Sequence, residues 1–422
     1  MARQGKGLIV RHRSLFIIST AAVTVGALSL SACGSRDDSG GASSDGDKTV
    51  VIGLDAPLSG DLSALGAGIK NSSDLAVKTA NKNNEVDGVT FKLESLDDQG
   101  QAGVGQQNAT KLAGDQDVYG VVGPLNSHIG ESMQKVLGNA KLVQVSPANT
   151  APQLTKGAKW QSGKKVRTFD SYFRTCATDD VQGPFAAQYL FEEKKFKKAY
   201  IIDDKKTYGA GLAGTFSTAF KELGGKIVGT DHVNPDDRDF SAVATKVAKS
   251  GADFVYIGSE YPTAAPLSAQ IKKAGADFPT VGGDALYSDE YIKLHKKKSE
   301  GDMATSVGAP LNTLDTAKEF MKNYKAQGYK LPFEAYGGYA YDSTWAIIQA
   351  VKAVAEEGDG LPDNTDEARE KIAKATQDVK FNGVTGDVAF DEYGDTTNKQ
   401  LSVYEVKGGE HKPVKTGTFE EG

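Results

Sequence analysis

The chain has 422 residues, of which 39% are hydrophobic and 25% charged, with a formal net charge of -6 at pH 7. Residues 1–32 hold four basic and no acidic residues, so the remainder carries about -10, which argues against nucleic acid as a partner, since phosphates call for a basic face. The body is comfortable for two domains, and with Cys176 the only cysteine after Cys33 it has no disulfide to lean on and must be held by a large core.

The first 32 residues read as an export signal. Lys6, Arg11 and Arg13 form a positive stretch, Leu15–Leu30 is apolar, and the small residues Ser31 and Ala32 precede Cys33, as a signal peptidase requires. The apolar run is short for a membrane span. The Leu30-Ser31-Ala32-Cys33 ending resembles a lipoprotein signal, which implies a lipidated Cys33 as the mature N-terminus. Residues 33–47 contain no large apolar side chain after the cysteine and are expected to be a flexible tether. A diacyl anchor burying methylenes at ~0.8 kcal/mol each would hold the body on the outer face of the cell membrane.

From Lys48 onward, short β-rich runs alternate with amphipathic stretches. The expected strands are Thr49–Leu54, Val89–Glu94, Tyr119–Val122, Lys141–Val145, Lys198–Ile202, Lys226–Gly229, Phe254–Ile257 and Asp302–Ser306. The expected helices between them include Ala67–Asn83, Gly103–Ala113, Gly211–Leu223 and Phe240–Lys249. A long helix over Tyr336–Glu356 is followed by a β-like pair, Val388–Phe390 and Leu401–Val406. Strand–helix alternation with apolar strands builds parallel sheets covered on both faces. The expected fold is α/β, with two doubly wound, Rossmann-like lobes.

In such folds ligands sit beyond the carboxyl ends of strands, where loops enter helix N-termini. The loops in those positions hold Ser127, Ala148 and Thr150, then Tyr208, then Glu260 and Tyr261, then Asp284. Gly209-Ala-Gly-Leu-Ala-Gly214 satisfies a dinucleotide-binding pattern, but Asp203–Tyr208 separates it from the strand, whereas a phosphate turn needs its first glycine at the strand end. No cofactor is expected. His128, His232 and His295 lack metal-ligand spacing, no nucleophile elbow occurs, and neighbouring Ser127 and His128 rarely meet in catalytic geometry. The chain therefore does not read as an enzyme. The lysine clusters at 194–198 and 296–298 read as solvated surface, and Cys176 as a buried, inert thiol.

The motifs Pro57-Leu-Ser-Gly60, Ser146-Pro-Ala148, Phe173-Arg-Thr175, Gln182-Gly-Pro184, Tyr208-Gly-Ala-Gly-Leu212, Asp239-Phe-Ser241 and Asp253-Phe-Val-Tyr256 are each weak alone. Their shared order and spacing resemble the leucine/isoleucine/valine-binding protein family, the amino-acid receptors of ABC importers, from Thr49 to about Val406. The resemblance implies the type I periplasmic-binding-protein fold with a multi-strand hinge. Lobe one would take residues 48–178 and 308–388, and lobe two residues 179–307 and 389–422. It implies an amino acid, branched-chain first, with its head group on Ser127, the backbone of Ala148, and Thr150. Asp284 stands where the family has a glutamate for the ammonium, Tyr208 matches a tyrosine that closes over the ligand, and Tyr339 matches another, with Tyr336 or Tyr341 as alternatives.

Two departures concern the side-chain pocket. Leu65 stands for an aromatic, and Glu260 for a tyrosine, with Tyr261 one residue on. If Glu260 faces the cleft, a polar or cationic ligand side chain is favoured. If Tyr261 does, the pocket stays apolar. The family's disulfide is absent. The resemblance further implies a monomer that delivers its ligand to a membrane permease; a sensor, or a receptor for an amide, urea or aromatic acid, is the alternative on the same fold.

Overall fold

The protein is described by a computed structural model over residues 48–295 and 298–419. The export signal, the tether and Cys33 lie outside the described residues, as do Lys296 and Lys297. All described residues belong to one compact unit.

Two sheets carry the architecture. The first contains β1 (Lys48–Ala56), β2 (Val89–Asp97), β3 (Val118–Val122), β4 (Val143–Ser146) and β5 (Tyr172–Arg174) in the order β2-β1-β3-β4-β5, all parallel. The second contains β6 (Lys198–Asp203), β7 (Lys226–His232), β8 (Phe254–Gly258), β9 (Thr280–Gly282) and β10 (Met303–Ser306). Its parallel part runs β7-β6-β8-β9-β10, so both sheets repeat one winding scheme.

Beyond β10 the second sheet is extended by antiparallel β13 (Gln400–Lys407) and β14 (Glu410–Thr418), while β11 (Phe381–Gly383) and β12 (Gly386–Val388) make a separate hairpin. Of the two β-like runs expected there, 401–406 falls within β13, whereas only Val388 of 388–390 lies in a strand. Val388 pairs with Phe381, and Phe390 makes only an isolated bridge to Thr396. The alternation at 401–406 is instead satisfied by β10 on one side and β14 on the other.

Apolar composition explains the layers. Every residue of β3 and β8 is buried, as strands covered by helices on both faces require. The helix Gly337–Glu357 packs on β3 and β4 and against the helix Ser63–Asn83. It lies so close that a Cβ built on Gly120 would stand 2.8 Å from Ile347 Cγ2. In the second lobe Phe216 stacks on Tyr256 at 3.8 Å, with Phe220 and Phe254 edge to face, an arrangement worth more than area burial alone.

The chain passes between the sheets after β5, after β10 and between β12 and β13. At the second passage Tyr339 donates its hydroxyl to the Val307 carbonyl at 2.9 Å, and a Cβ on Gly308 would overlap that hydroxyl. The first and third passages share a buried ion cluster. Arg174 meets Asp395 at 2.6 Å, and Lys156 lies 2.5 Å from Asp180 and 3.4 Å from Asp395.

Candidate functional site

In a sheet ordered 2-1-3-4-5 the loops after the first and third strands diverge, opening a crevice at the switch point. Here the two switch points, β1/β3 and β6/β8, face each other across one cavity. Its walls are Leu65, Leu125, Asn126, Ser127, Ala148, Tyr208, Glu260, Asp284, Ala285 and Tyr336. The lobes are closed on one another, and the free volume of about 20 Å³ is room for about one water. A solute larger than a water molecule enters only when the lobes part. Wider grooves, such as the 760 Å³ one beside Arg167 and Glu370, lie on the surface away from the strand ends.

Lobe one contributes two loops. Ser127 opens the helix Ser127–Asn139, with Asn126 as its N-cap residue, so free N–H groups and the positive end of the helix dipole face the cavity. The loop after β4 is pinned from beneath. Ser146 Oγ donates to the Pro124 carbonyl and accepts the N–H groups of Ala148 and Asn149. Asn149 Nδ2 donates to the carbonyls of Pro124 and Leu125. Arg174, fully buried, donates to the carbonyls of Asn149 (2.7 Å) and Ala151 (2.9 Å), one on each side of Thr150. Ser127 Oγ accepts from the Ala151 N–H at 3.4 Å. Thr150 is wholly buried behind the cavity wall, and its hydroxyl makes no well-formed hydrogen bond.

Lobe two contributes the acidic side. Asp284, 1% exposed, accepts hydroxyl hydrogen bonds from Tyr208 at 2.8 Å and Tyr336 at 2.7 Å, and its N–H donates to Gln182 Oε1 at 2.9 Å. Burial raises its pKa, against which the two tyrosine hydroxyls act. Tyr208 comes this close because position 283 is glycine; a Cβ there would overlap its hydroxyl.

Asp179, which sequence reasoning missed, is a second buried carboxylate, near Asp284 and behind this wall. Gln182 Nε2 donates to its Oδ1 at 2.9 Å, while Oδ2 has no hydrogen-bond partner. Burial first, and then the charge of Asp284, push its pKa well up, with Thr150 and Arg174 opposing. An ammonium group beside the two carboxylates would remove that repulsion. The Thr178-Asp179-Asp180 run was readable as a helix start, but not its approach to Asp284, 105 positions on.

The sequence-derived candidates are thus partly gathered. Ser127, Ala148, Tyr208, Glu260 and Asp284 line one cavity, and Thr150 backs it. Tyr339 does not line it; Tyr336 does, because Tyr339 is committed to Val307 at the hinge. Tyr261 does not line it either. It begins the helix Tyr261–Lys273, packs in the core and donates its hydroxyl to the Asp61 carbonyl at 2.5 Å, while Glu260 takes the wall position. The helix Thr207–Glu222 carries the dinucleotide-like glycines. A Cβ on Gly209 would overlap the Gly258 carbonyl, so this glycine lets the helix approach β8.

Two doubly wound lobes, joined by three chain passages and closed on a cavity at both switch points, define a hinged, two-lobed solute-binding protein. The periplasmic binding protein family model matches residues 49–410. The chain is 32% identical over 361 residues to the Leu/Ile/Val-binding protein BraC3 of Rhizobium johnstonii, covering 85% of this chain and 92% of that one. Among solved structures it is similar to the leucine-binding protein LivK of Thermotoga maritima (TM-score 0.77, 25% identity, 87% and 98% of the two chains). It is also similar to the branched-chain amino acid transporter substrate-binding protein LivJ of Streptococcus pneumoniae, solved with isoleucine (TM-score 0.75, 25% identity, 88% and 99%). The chain belongs to the periplasmic binding protein family, in the branch of the branched-chain amino acid binding proteins.

Proposed function

We propose that this protein captures an α-amino acid between its lobes on the outer side of the cell membrane and delivers it to an ABC permease, without making or breaking a bond. The observation that carries this reading is the pairing of unlike walls. Ser127 and the Ala148–Thr150 loop, at a helix N-terminus and over Arg174, suit a carboxylate. Asp284 and Asp179 opposite suit an ammonium. Lobe one, taken as 48–178 with 308–388, receives the head group. Lobe two, taken as 179–307 with 389–422, closes Asp284 and Tyr208 over it by hinge motion. The closed form offers a permease an outer surface that the open form lacks.

Branched-chain ligands are the class that the relatives' names support, and Leu65 and Leu125 supply apolar wall for one. The same lobes would also serve a sensor. Lipidation at Cys33 would keep a monomeric receptor at the membrane. Ser127→Ala combined with Thr150→Ala should abolish amino-acid binding in calorimetry while the unliganded melting temperature stays within a few degrees. Unchanged affinity would refute the head-group assignment.

A further inference from the structure

Two residues in N-cap positions leave their own helices without a side-chain cap. Asn126 precedes the helix Ser127–Asn139 and Glu260 precedes the helix Tyr261–Lys273, yet neither side chain bonds its own helix. Asparagine in that position ordinarily accepts from its own N2 or N3 amide. Instead the two side chains meet across the cleft, with Asn126 Nδ2 donating to Glu260 Oε1 at 2.8 Å. They come from opposite lobes, 134 positions apart, and both line the cavity.

A carboxylate only accepts, so Glu260 forces the amide of Asn126 to turn its nitrogen inward. That leaves Asn126 Oδ1, on a residue only 4% exposed, with no partner. The cleft wall thus presents a buried carboxylate and a buried, unpaired carbonyl oxygen together. The surrounding charges do not cancel them. Lys206 stands 3.6 Å from Glu260 Oε2 near the mouth, but Asp204, raised to about 6 by burial and then by Glu260, adds acid. Burial holds His128 below its usual pKa, and Glu131 is occupied by Thr207 at 3.0 Å.

We infer that Glu260 and Asn126 form a side-chain subsite for an N–H donor, so that among α-amino acids this chain prefers one whose side chain ends in an amide or a cation over an aliphatic one of equal size. The inference rests on the amino-acid reading above and departs from the relatives' ligands only in the side chain. A leucine here would leave Asn126 Oδ1 unpaired and lay hydrocarbon against the Glu260 carboxylate, and buried polar groups without a partner are what make such sites reject analogues lacking the donor.

Isosteric pairs separate the donor from volume. Calorimetry on the purified protein would compare asparagine with leucine and glutamine with methionine, with arginine and lysine as the cationic arm. The expected result is amide or cation binding at least about tenfold tighter than its aliphatic counterpart. Glu260→Leu should invert the asparagine-to-leucine preference. The isosteric Glu260→Gln, checked by its melting temperature, should reduce it without inverting it. Leucine and methionine binding as tightly as the amides, or a preference unmoved by both variants, would overturn the inference while leaving the amino-acid reading intact. No binding by any amino acid would overturn that reading and the inference with it.

Discussion

Replacing Asp284 with asparagine separates charge from shape at the centre of the site. The carboxylate is 1% exposed and holds the hydroxyls of Tyr208 and Tyr336 at 2.8 and 2.7 Å. Asparagine keeps the volume. Its carbonyl accepts one hydroxyl and its amide donates to the oxygen of the other, because a tyrosine hydroxyl serves both roles. The lobe contacts therefore survive, and the negative charge does not. A hydrogen bond between charged partners contributes ~1.5–3 kcal/mol, which converts to a roughly 10- to 150-fold loss of amino-acid affinity. Stability should move the other way, since Asp179 loses the neighbouring charge that raises its pKa. The expected outcome in calorimetry and thermal unfolding is weaker binding with an unliganded melting temperature equal to or above the parent's. Affinity within twofold of the parent would refute the ammonium assignment. A fall in both quantities would mean that Asp284 serves folding instead.

Arg174→Met tests the support under the carboxylate loop. It strands Asp395, for which Lys156 at 3.4 Å is only a partial substitute, and should cost about 3 kcal/mol in urea unfolding along with ligand affinity, since the carbonyls of Asn149 and Ala151 lose their donors; a loss below about 1 kcal/mol would contradict this. A pH prediction concerns Asp55 and Asp98, whose carboxyl groups face each other beneath the first sheet's switch point. Burial, then Asp98, raises Asp55 to about 9, and burial raises Asp98 to about 6. The folded state thus holds a proton that the unfolded chain releases above about pH 4, so stability from this pair is full below that pH and is lost as pH rises towards 9. Asp55→Asn should flatten that decline and add ~1–2 kcal/mol at pH 8 by giving the unpaired Asp98 oxygen a donor; a decline as steep as the parent's between pH 5 and 9 would contradict the assignment.

The elements that define the fold were legible because burial on both faces leaves runs such as Phe254–Ile257 with little polar content. The loops at their carboxyl ends pointed to the candidate cavity, which Ser127, Tyr208, Glu260 and Asp284 line. What stayed illegible has physical reasons. Strand β14, Glu410–Thr418, is a largely exposed edge rich in lysine, so no apolar alternation marks it, although such composition is how edges resist further pairing. Tyr336, Tyr339 and Tyr341 crowd one helix start, and nothing in their spacing says which one faces the cavity. Glu260 and Tyr261 were equally open until the helix starting at Tyr261 turned the aromatic into the core. The Asn126–Glu260 bridge depends on closure of one lobe on the other, and the approach of Asp179 to Asp284 on the folding of the second lobe; local pattern encodes neither.

The most direct test of the central claim is thermal unfolding of the purified protein with each common amino acid in turn, alongside urea and short amides. Binding to the folded state alone stabilises it by ~2.7 kcal/mol at a hundredfold excess over Kd. A raised melting temperature with at least one α-amino acid, lost in the Ser127→Ala, Thr150→Ala protein, is the predicted result. A shift with none of them, or one that survives the double substitution, would contradict the account.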